Sequence, residues 1–399
     1  MKNFNWKNNN LTHLHVELTN HCNAACPFCP RHVGSSAKVR PDLVLESISI
    51  ENFKTWFPKN LILDLTNILF CGTHGDPSMC KDILPIIEYI TLVNPNCSIM
   101  INTNGGIRNL NFWKELGNLL KHNQDNSITF SIDGLEDTNH LYRRNVTWTK
   151  LIENVKAYNN TGATAIWDFL IFRHNEHQIE QARKLAKELK FSEIKFKRAL
   201  GFEYKSNGVV PREVYDKYGN LEYIIESPMN TDLVNSKIPD RIQRNIKQHV
   251  DLSYVDSNKP GYNKYVEYSI ETFNPKNNQN ENSKTIEQFE ITCKSCRGNK
   301  KTSEIYVSAN GVVFPCCYVG TSVDSDNKDY ESTQTRIAMR QFGLKYFDLT
   351  QTSLYEIISN GYLDAVFSNS WDKQKFTDGK LAKCASTCGI QSNIDNIYI

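Results

Sequence analysis

Strand-like and helical segments alternate along residues 13–200 of this 399-residue chain. The strand-like runs, rich in Ile, Phe, Leu and Val, are His13–Leu18, Ile62–Phe70, Ser98–Asn102, Ser127–Ile132, Ala163–Phe172 and Glu193–Lys197. The clearest helical pattern lies between Asn175 and Lys190, and Asn175 with Gln178 has the spacing of a capping box. Strands that are separated by helices pair in parallel through right-handed crossovers. The alternation therefore predicts an α/β domain with a parallel sheet, although the spacing alone also allows a doubly wound sheet.

The chain is longer than one typical domain, and its composition changes along its length. The alternation stops near residue 200, and residues 201–290 contain Pro, Asn and charge clusters that are typical of a linker or insertion. Further groups of cysteines follow beyond residue 290. We therefore predict a strand–helix domain over residues 1–200, a linker or insertion over residues 201–290, and a smaller C-terminal unit over residues 291–399.

Charge and hydropathy give no support to nucleic-acid or membrane binding. A formal net charge of +2 provides no electrostatic basis for either partner. Residues 1–10 are polar and rich in Asn, unlike a signal peptide. The best apolar run, Leu61–Phe70, is interrupted by Asp64 and is too short to span a bilayer. We therefore expect a cytoplasmic protein with no membrane segment.

The 12 cysteines need an explanation, because in a reducing cytosol they serve as metal ligands or free thiols more often than as disulfides. Most of them fall into the groups Cys22/Cys26/Cys29, Cys293/Cys296, Cys316/Cys317 and Cys384/Cys388. Three others, Cys71, Cys80 and Cys97, stand alone and are expected to be small buried hydrophobic residues. The grouping favours metal clusters.

The first group, Cys22, Cys26 and Cys29, forms a Cys-x3-Cys-x2-Cys loop directly after the first predicted strand. Three thiolates on one short loop can bind three irons of a four-iron cube, whose fourth iron then has no protein ligand on that loop. An open iron is a site for chemistry rather than for electron storage alone. The alternatives are a structural zinc loop, which usually uses Cys-x2-Cys pairs, and a ferredoxin fragment, which uses a tighter run.

Residues that could contact a ligand lie at or just after the ends of three predicted strands. They are Gly75, Asp76 and Pro77 after the second strand, Asn102 and Asn104 at the third, and Ser131 and Asp133 at the fourth. In parallel barrels the chemistry takes place where the strands end. Members of the last two pairs are two residues apart, so an extended backbone places each pair on one side. Any one of these motifs alone could also be an ordinary turn.

These residues together resemble the radical S-adenosylmethionine (SAM) superfamily, which uses the same cysteine spacing with an aromatic residue, here Phe28, before the last cysteine. The segment Ser131-Ile132-Asp133-Gly134, followed by Tyr142-Arg143, resembles the SPASM/twitch branch of that superfamily. The resemblance implies a partial (β/α)6 TIM-like barrel. It also implies a 4Fe–4S cluster on the first three cysteines, with SAM bound at the open iron.

The same resemblance suggests how SAM is held. The loop after the second strand would hold the SAM amino group, Ser131 and Arg143 would bind its carboxylate, and Asp133 would contact the ribose. Arg suits bidentate binding of a carboxylate, and the adjacent Arg144 remains an alternative to Arg143. The cofactor-binding residues expected from the resemblance and from the strand ends are Gly75, Asp76, Pro77, Asn102, Asn104, Ser131, Asp133 and Arg143.

A second cysteine pattern, Cys296-x14-Gly311-x4-Cys316, resembles the opening of SPASM and twitch domains. The residues between the two cysteines predict a β-hairpin with an Asn-Gly turn, which would bring its ends together. The resemblance implies a small C-terminal twitch/SPASM-like domain with one auxiliary 4Fe–4S cluster, held by Cys296, Cys316, Cys384 and Cys388. Cys293 could replace Cys296, and Cys317 is expected to point to the opposite side of its strand. A zinc ribbon of Cys293, Cys296, Cys384 and Cys388 is the structural alternative.

The implied function is that of a radical SAM enzyme. An external one-electron donor such as flavodoxin or ferredoxin would reduce the first cluster, SAM would be cleaved to a 5′-deoxyadenosyl radical, and the radical would abstract hydrogen from a peptide or small-molecule substrate. The sequence assigns no catalytic side chain beyond the cofactor-binding residues. The alternative is a non-enzymatic iron–sulfur electron carrier or scaffold, which would not need the polar strand ends.

Overall fold

The computed structural model describes residues 5–8, 10–205, 208–233, 290–291, 293, 303–323 and 330–389. The chain divides into two compact units. The first, called here the sheet unit, contains Thr12–Pro239 with Ser308–Asn310 and Asp395–Ile399. The second, called here the C-terminal unit, contains Met1–Leu11, Asp240–Val307 and Gly311–Ile394.

The sheet unit contains the predicted run of parallel strands. They are β1 His13–Val16, β2 Asn67–Phe70, β3 Ser98–Thr103, β4 Ser127–Ser131, β5 Ala165–Ile171 and β6 Glu193–Arg198. Each strand pairs in parallel with the next along the chain. A doubly wound sheet would reverse its strand order in the middle, whereas here the spatial order follows the chain. The predicted parallel α/β sheet is confirmed, and its order is that of a partial barrel.

Helices connect the strands of this sheet. They are α1 Ile50–Trp56, α2 Lys59–Asp64, α3 Ile83–Val93, α4 Leu110–Leu120, α5 Asn139–Tyr142, α6 Trp148–Asn159 and α7 Ile179–Glu188. Side-chain caps fix two helix starts, because Ser49 accepts a hydrogen bond from the Asn52 amide and Asn109 accepts one from Phe112. The second strand is shorter than predicted, since Lys59–Asp64 forms a helix and Ile62 is buried there.

The capping box expected at Asn175 is wrong. Asn175 makes no cap hydrogen bond, and residues Glu176–Gln178 form a short 3-10 helix before α7 begins. Instead, the Asn175 side chain accepts from the Phe172 amide at 2.7 Å and donates to the carbonyl oxygens of Leu170 and Asp133. Asn175 therefore ties the end of β5 to the loop after β4.

Alternate residues of the strands point to opposite faces of the sheet, and the two faces differ in character. One face is apolar and fully buried, with Ile101, Phe130 and Trp167 as examples. The other face is half-buried, and its register partners are Asn102 with Thr129, Ser131 with Asp168, and Leu170 with Lys197. We call this second surface the polar face, defined by Asn102, Thr129, Ser131, Asp168 and Lys197.

Two antiparallel hairpins follow β6 within the sheet unit. Their strands are β7 Glu203–Lys205 with β8 Gly208–Val210, and β9 Arg212–Tyr215 with β10 Leu221–Ile225. The described part of the predicted linker is therefore folded. Residues 234–289 of that segment lie outside the described residues.

The C-terminal unit contains the predicted hairpin, in which β11 Glu304–Val307 pairs with β12 Val313–Phe314 in antiparallel fashion. The predicted two-residue Asn-Gly turn is wrong: Gly311 has a φ of 85° but Asn310 has no positive φ, and five residues separate the paired Val307 and Val313. The helices of this unit are α8 Cys317–Val323, α9 Tyr330–Phe342, α10 Leu354–Ser359, α11 Tyr362–Val366 and α12 Ala382–Cys388. Across the described parts of the chain, no helix combines the length and apolarity needed to cross a bilayer.

The N-terminal segment packs into the C-terminal unit through Trp6. The Trp6 ring is buried, and its centroid lies 5.6 Å from that of Trp371. Its indole Nε1 donates to the Glu304 carbonyl at 3.1 Å, and its backbone N–H donates to Asp364 at 2.9 Å. These contacts explain why the first residues of the chain group with the C-terminal unit.

Candidate functional site

The three-cysteine loop lies directly after β1, with Cys26 buried and Cys22 and Cys29 half-buried. The Cys29 amide donates to the Cys26 carbonyl at 3.1 Å, which folds the loop into a turn. Phe28, between these two cysteines, packs edge-on against Tyr142 and Phe172 at centroid distances of 5.6 and 5.8 Å. The loop backbone and the aromatic residue expected before the last cysteine are therefore held in place by the sheet unit.

The three thiols are costly to ionise as they stand. Burial raises the pKa of Cys22, Cys26 and Cys29, that of Cys29 to about 12. Their mutual repulsion as thiolates adds to this at Cys22 and Cys29. A bound metal removes this cost, because it deprotonates the thiols that coordinate it. The donor set therefore fits an iron cluster, which needs thiolates of this kind.

A single metal ion would need ligands that converge on one point. Among the described residues, no three His, Cys, Asp or Glu side chains are grouped so as to hold one ion. The cysteines of a four-iron cluster bind different irons, so they need not converge in this way.

Arg143 is the charged residue that reaches the three-cysteine loop. Its Nη1 lies 3.5 Å from the Cys26 sulfur, and its Nε donates to Asp133 Oδ2 at 2.6 Å. The other carboxylate oxygen of Asp133 accepts from the Leu170 amide at 2.6 Å. Burial raises the pKa of Asp133, and the adjacent guanidinium opposes that rise. One oxygen of Asp133 therefore holds Arg143 and the other accepts from the Leu170 amide, and the expected contact of Asp133 with the ribose stays a prediction.

The side chain of Arg144 is committed elsewhere. Its Nη1 donates to the Tyr215 carbonyl at 2.9 Å, and its Nη2 forms an ion pair with Glu222. Both partners belong to the β9–β10 hairpin, so this arginine fastens the hairpin to the segment between α5 and α6. Of the two adjacent arginines, the geometry favours Arg143 as the ligand of an anionic group at the three-cysteine loop.

Asp76 organises the end of β3. Its Oδ1 accepts from the Ser78 hydroxyl at 2.6 Å and the Thr103 hydroxyl at 2.8 Å, and its Oδ2 accepts from both the backbone and side-chain nitrogens of Asn104 at 2.7 Å. Asn104 Nδ2 also lies 3.7 Å from the Cys22 sulfur. The predicted residues Asp76 and Asn104 are thus brought together at the three-cysteine loop, with Asp76 positioning Asn104.

The backbone around Gly75 is packed against the chain itself. A Cβ on Gly75 would lie 1.8 Å from the Thr19 carbonyl oxygen, so only glycine fits. The carboxylate of Glu17 accepts hydrogen bonds from the amides of His74 and Gly75 at 2.7 and 2.9 Å. The resemblance placed Gly75 in the loop that would hold the SAM amino group, whereas the contact that requires glycine is with Thr19. Pro77 opens a short 3-10 helix directly after this loop.

The remaining predicted residues, Asn102 and Ser131, lie on the polar face. Asn102 donates to the Cys71 sulfur at 3.4 Å, and Ser131 is the register partner of Asp168. Sequence reasoning missed Asp168 and Lys197, which form an ion pair there, and also Glu17. A charged residue inside the apolar run that forms β5 was the available signal for Asp168.

The cysteines of the C-terminal unit meet at one cavity. Cys293, Cys316, Cys384 and Cys388 line it together with Trp371 and other apolar residues. An isolated antiparallel bridge between Ile291 and Gly389 brings the first cysteine to the last. Burial raises the pKa of Cys316 to about 12, with the Cys388 thiolate adding to the rise. Cys317 is not among the residues that line this cavity, and Cys296 lies outside the described residues.

Comparison with known proteins identifies the family of the sheet unit. A family model described as the radical SAM superfamily matches residues 16–186. The FeMo cofactor biosynthesis protein NifB of Methanocaldococcus jannaschii is 28% identical over 109 residues, which cover 27% of this chain and 36% of that protein. The match thus spans about a third of this curated relative.

Solved structures also resemble the chain, at a distance. Streptococcus suis SuiB bound to its precursor peptide SuiA has a TM-score of 0.49 and 13% identity, covering 95% of this chain and 72% of that one. The structure of anSMEcpe with bound AdoMet and Cp18Cys peptide has a TM-score of 0.48 and 12% identity, covering 97% and 92%. The family match therefore assigns residues 16–186, which contain the three-cysteine loop and Arg143, to the radical SAM superfamily.

Proposed function

We propose that this chain is an enzyme that cleaves SAM reductively and abstracts hydrogen from a peptide or small-molecule substrate. When bound, the cluster and SAM would supply the electron and the 5′-deoxyadenosyl radical for that chemistry. The protein would bind and orient the cluster and SAM. An external one-electron donor such as flavodoxin or ferredoxin would reduce the cluster. The observation that carries the proposal is the approach of Arg143 to Cys26, because it would put a cation beside a cluster held by the three-cysteine loop.

Cys22, Cys26 and Cys29 would hold the cluster. Arg143 would bind the SAM carboxylate, since a guanidinium is suited to that group and Asp133 already fixes its Nε. Ser131, at the end of β4, would donate a hydrogen bond from its hydroxyl to the same carboxylate. Asn104, oriented by Asp76, would present its amide beside Cys22 and help to place the SAM amino group.

Reductive SAM cleavage separates this function from that of an electron carrier. Protein reconstituted anaerobically with iron and sulfide should form 5′-deoxyadenosine and methionine from SAM after reduction with dithionite. An electron carrier or scaffold would be reduced under the same conditions but would leave SAM intact. Chromatographic measurement of both products, with unreduced protein as the control, decides between the two. Intact SAM in a fully loaded, reduced sample would contradict the enzyme.

We further propose an auxiliary 4Fe–4S cluster in the C-terminal unit. The cavity lined by Cys293, Cys316, Cys384 and Cys388 supports it, because it gathers the four thiols that such a cluster needs. This set replaces Cys296 of the sequence prediction with Cys293, which the sequence left open as a substitute. The alternative, a zinc site, would use the same kinds of ligand.

The choice between Cys293 and Cys296 can be measured. Cys293→Ser should lower the iron content by up to about four per chain, because it removes one of the four thiols that are proposed to hold the auxiliary cluster. Cys296→Ser is the matched control and should retain the wild-type iron content. Iron, sulfide and zinc assays on both variants test this. If Cys296→Ser loses the iron and Cys293→Ser does not, the sequence prediction holds and the cavity set is wrong; zinc at one per chain would favour the structural site.

A further inference from the structure

An ion pair on the polar face carries an acceptor that the chain does not use. Lys197 Nζ donates to Asp168 Oδ2, and the Asp168 side chain is only 14% exposed. In the described part of the chain, Asp168 Oδ1 is buried without a hydrogen-bond partner. Leaving a buried acceptor unpaired is unfavourable, so such an atom calls for an explanation.

The position of this pair connects it to the proposed SAM site. Asp168 is the register partner of Ser131, so the two side chains stand on neighbouring strands about 4.8 Å apart and share a face. The pair therefore lies on the polar face, on the two strands that follow β4 in the sheet.

The charges of the pair limit what can bind there. Lys197 neutralises Asp168, so the pair has no net charge to attract an ion. An ammonium group would meet the positive charge of Lys197, and a carboxylate would meet Asp168 Oδ1. A neutral O–H or N–H group satisfies the free oxygen without either penalty.

We propose that Asp168 is a substrate-positioning residue whose Oδ1 accepts a hydrogen bond from a neutral hydroxyl or amide N–H of the substrate. This inference rests on the proposed function, because it places the substrate beside Ser131 and so beside SAM. Lys197 holds the carboxylate through Oδ2 and leaves Oδ1 without a hydrogen-bond partner. The substrate class is thus a neutral hydrogen-bond donor at this point, either an amide as in a peptide or a hydroxyl as in an alcohol.

Small probes test this without knowledge of the natural substrate. Ligand-observed NMR on the reconstituted, SAM-bound protein should detect binding of N-methylacetamide or propane-1,2-diol. N,N-dimethylacetamide, which lacks the donor, should bind at least tenfold more weakly, as should acetate and methylammonium. Stronger binding of the amide points to a peptide, and stronger binding of the diol points to an alcohol.

Variants connect the binding to the ion pair. Asp168→Leu combined with Lys197→Met removes both charges together and should weaken binding of the preferred probe at least tenfold. Asp168→Asn, which keeps the shape of the side chain, should weaken it too and serves if the double variant does not fold. Lys187→Met removes an exposed lysine of α7 that is not part of the polar face, and it should bind the probe like the wild type.

Two results would overturn the inference: equal binding of N-methylacetamide and N,N-dimethylacetamide with no diol binding, or unchanged probe binding in a folded Asp168 variant. These results are independent of SAM cleavage. If the protein binds only the probes that carry a hydrogen-bond donor but leaves SAM intact, the acceptor site is supported and the proposed function is wrong.

Discussion

Replacing Cys22, Cys26 and Cys29 together by Ala should remove the iron of one cluster and abolish SAM cleavage. By ligand count the wild-type protein should hold ~8 irons per chain, and the variant should hold ~4. The reason is that these three thiols are the only ligands that the loop offers to the first cluster, while the C-terminal cysteines belong to the other unit. Iron and sulfide assays, together with 5′-deoxyadenosine measurement, check both parts.

Cys97→Ala is the matched control for this variant. Cys97 is buried, and in the structure its sulfur lies near the carbonyl of its neighbour Ser98. Its replacement should leave the iron content and SAM cleavage at wild-type values. Continued 5′-deoxyadenosine formation by the triple variant would show that another site activates SAM and that the three-cysteine loop has been misassigned.

Arg143→Ala should weaken SAM binding by about 1.5–3 kcal/mol, which is the typical loss for a hydrogen bond to a charged group and corresponds to about 10- to 150-fold in Kd. Both clusters should remain, because Arg143 lies beside Cys26 but is not a ligand. Equilibrium binding of SAM to the oxidised, reconstituted protein measures the effect. Asp133→Asn should cause a smaller loss, since it removes only the partner that holds the guanidinium in place.

Arg144→Ala is the control that tests whether Arg143 or its neighbour binds the SAM carboxylate. Its ion pair with Glu222 fastens a hairpin, so its loss should affect stability more than SAM affinity. If Arg144→Ala weakens SAM binding and Arg143→Ala does not, the assignment of the carboxylate ligand is displaced by one residue.

The sheet could be predicted from the sequence because its strands are apolar runs between amphipathic helices. Where the prediction fails, a local interaction explains it. Residues 59–64 are apolar enough for a strand, yet they follow Pro58 and form a helix that buries Ile62. Asn175 has the spacing of a cap, yet its amide is used by the backbone of β5 and by Asp133. Sequence spacing does not show whether a side chain such as Asn175 caps the following helix or hydrogen-bonds to the backbone of a preceding strand.

The candidate site also contains residues that the sequence indicated and interactions that it did not. Cysteine spacing and polar strand ends indicated Cys26, Asn104 and Asp133, and the resemblance to the SPASM/twitch branch added Arg143, because those signals are local in the chain. The partnerships among them are not local: Asp76 and Asn104 meet across β2 and β3, and Asp168 meets Lys197 across β5 and β6. Only the strand register brings these residues together, so the positioning roles of Asp76 and Asp168 follow from the fold alone.

The electron paramagnetic resonance spectrum of the reduced protein, recorded with and without SAM, tests most directly whether the three-cysteine loop offers SAM an open iron. In the wild type, the signal of the first cluster should change when SAM is added, and the triple variant should lose that signal and its response to SAM. A wild-type spectrum with full iron content that does not change on addition of SAM would contradict the account.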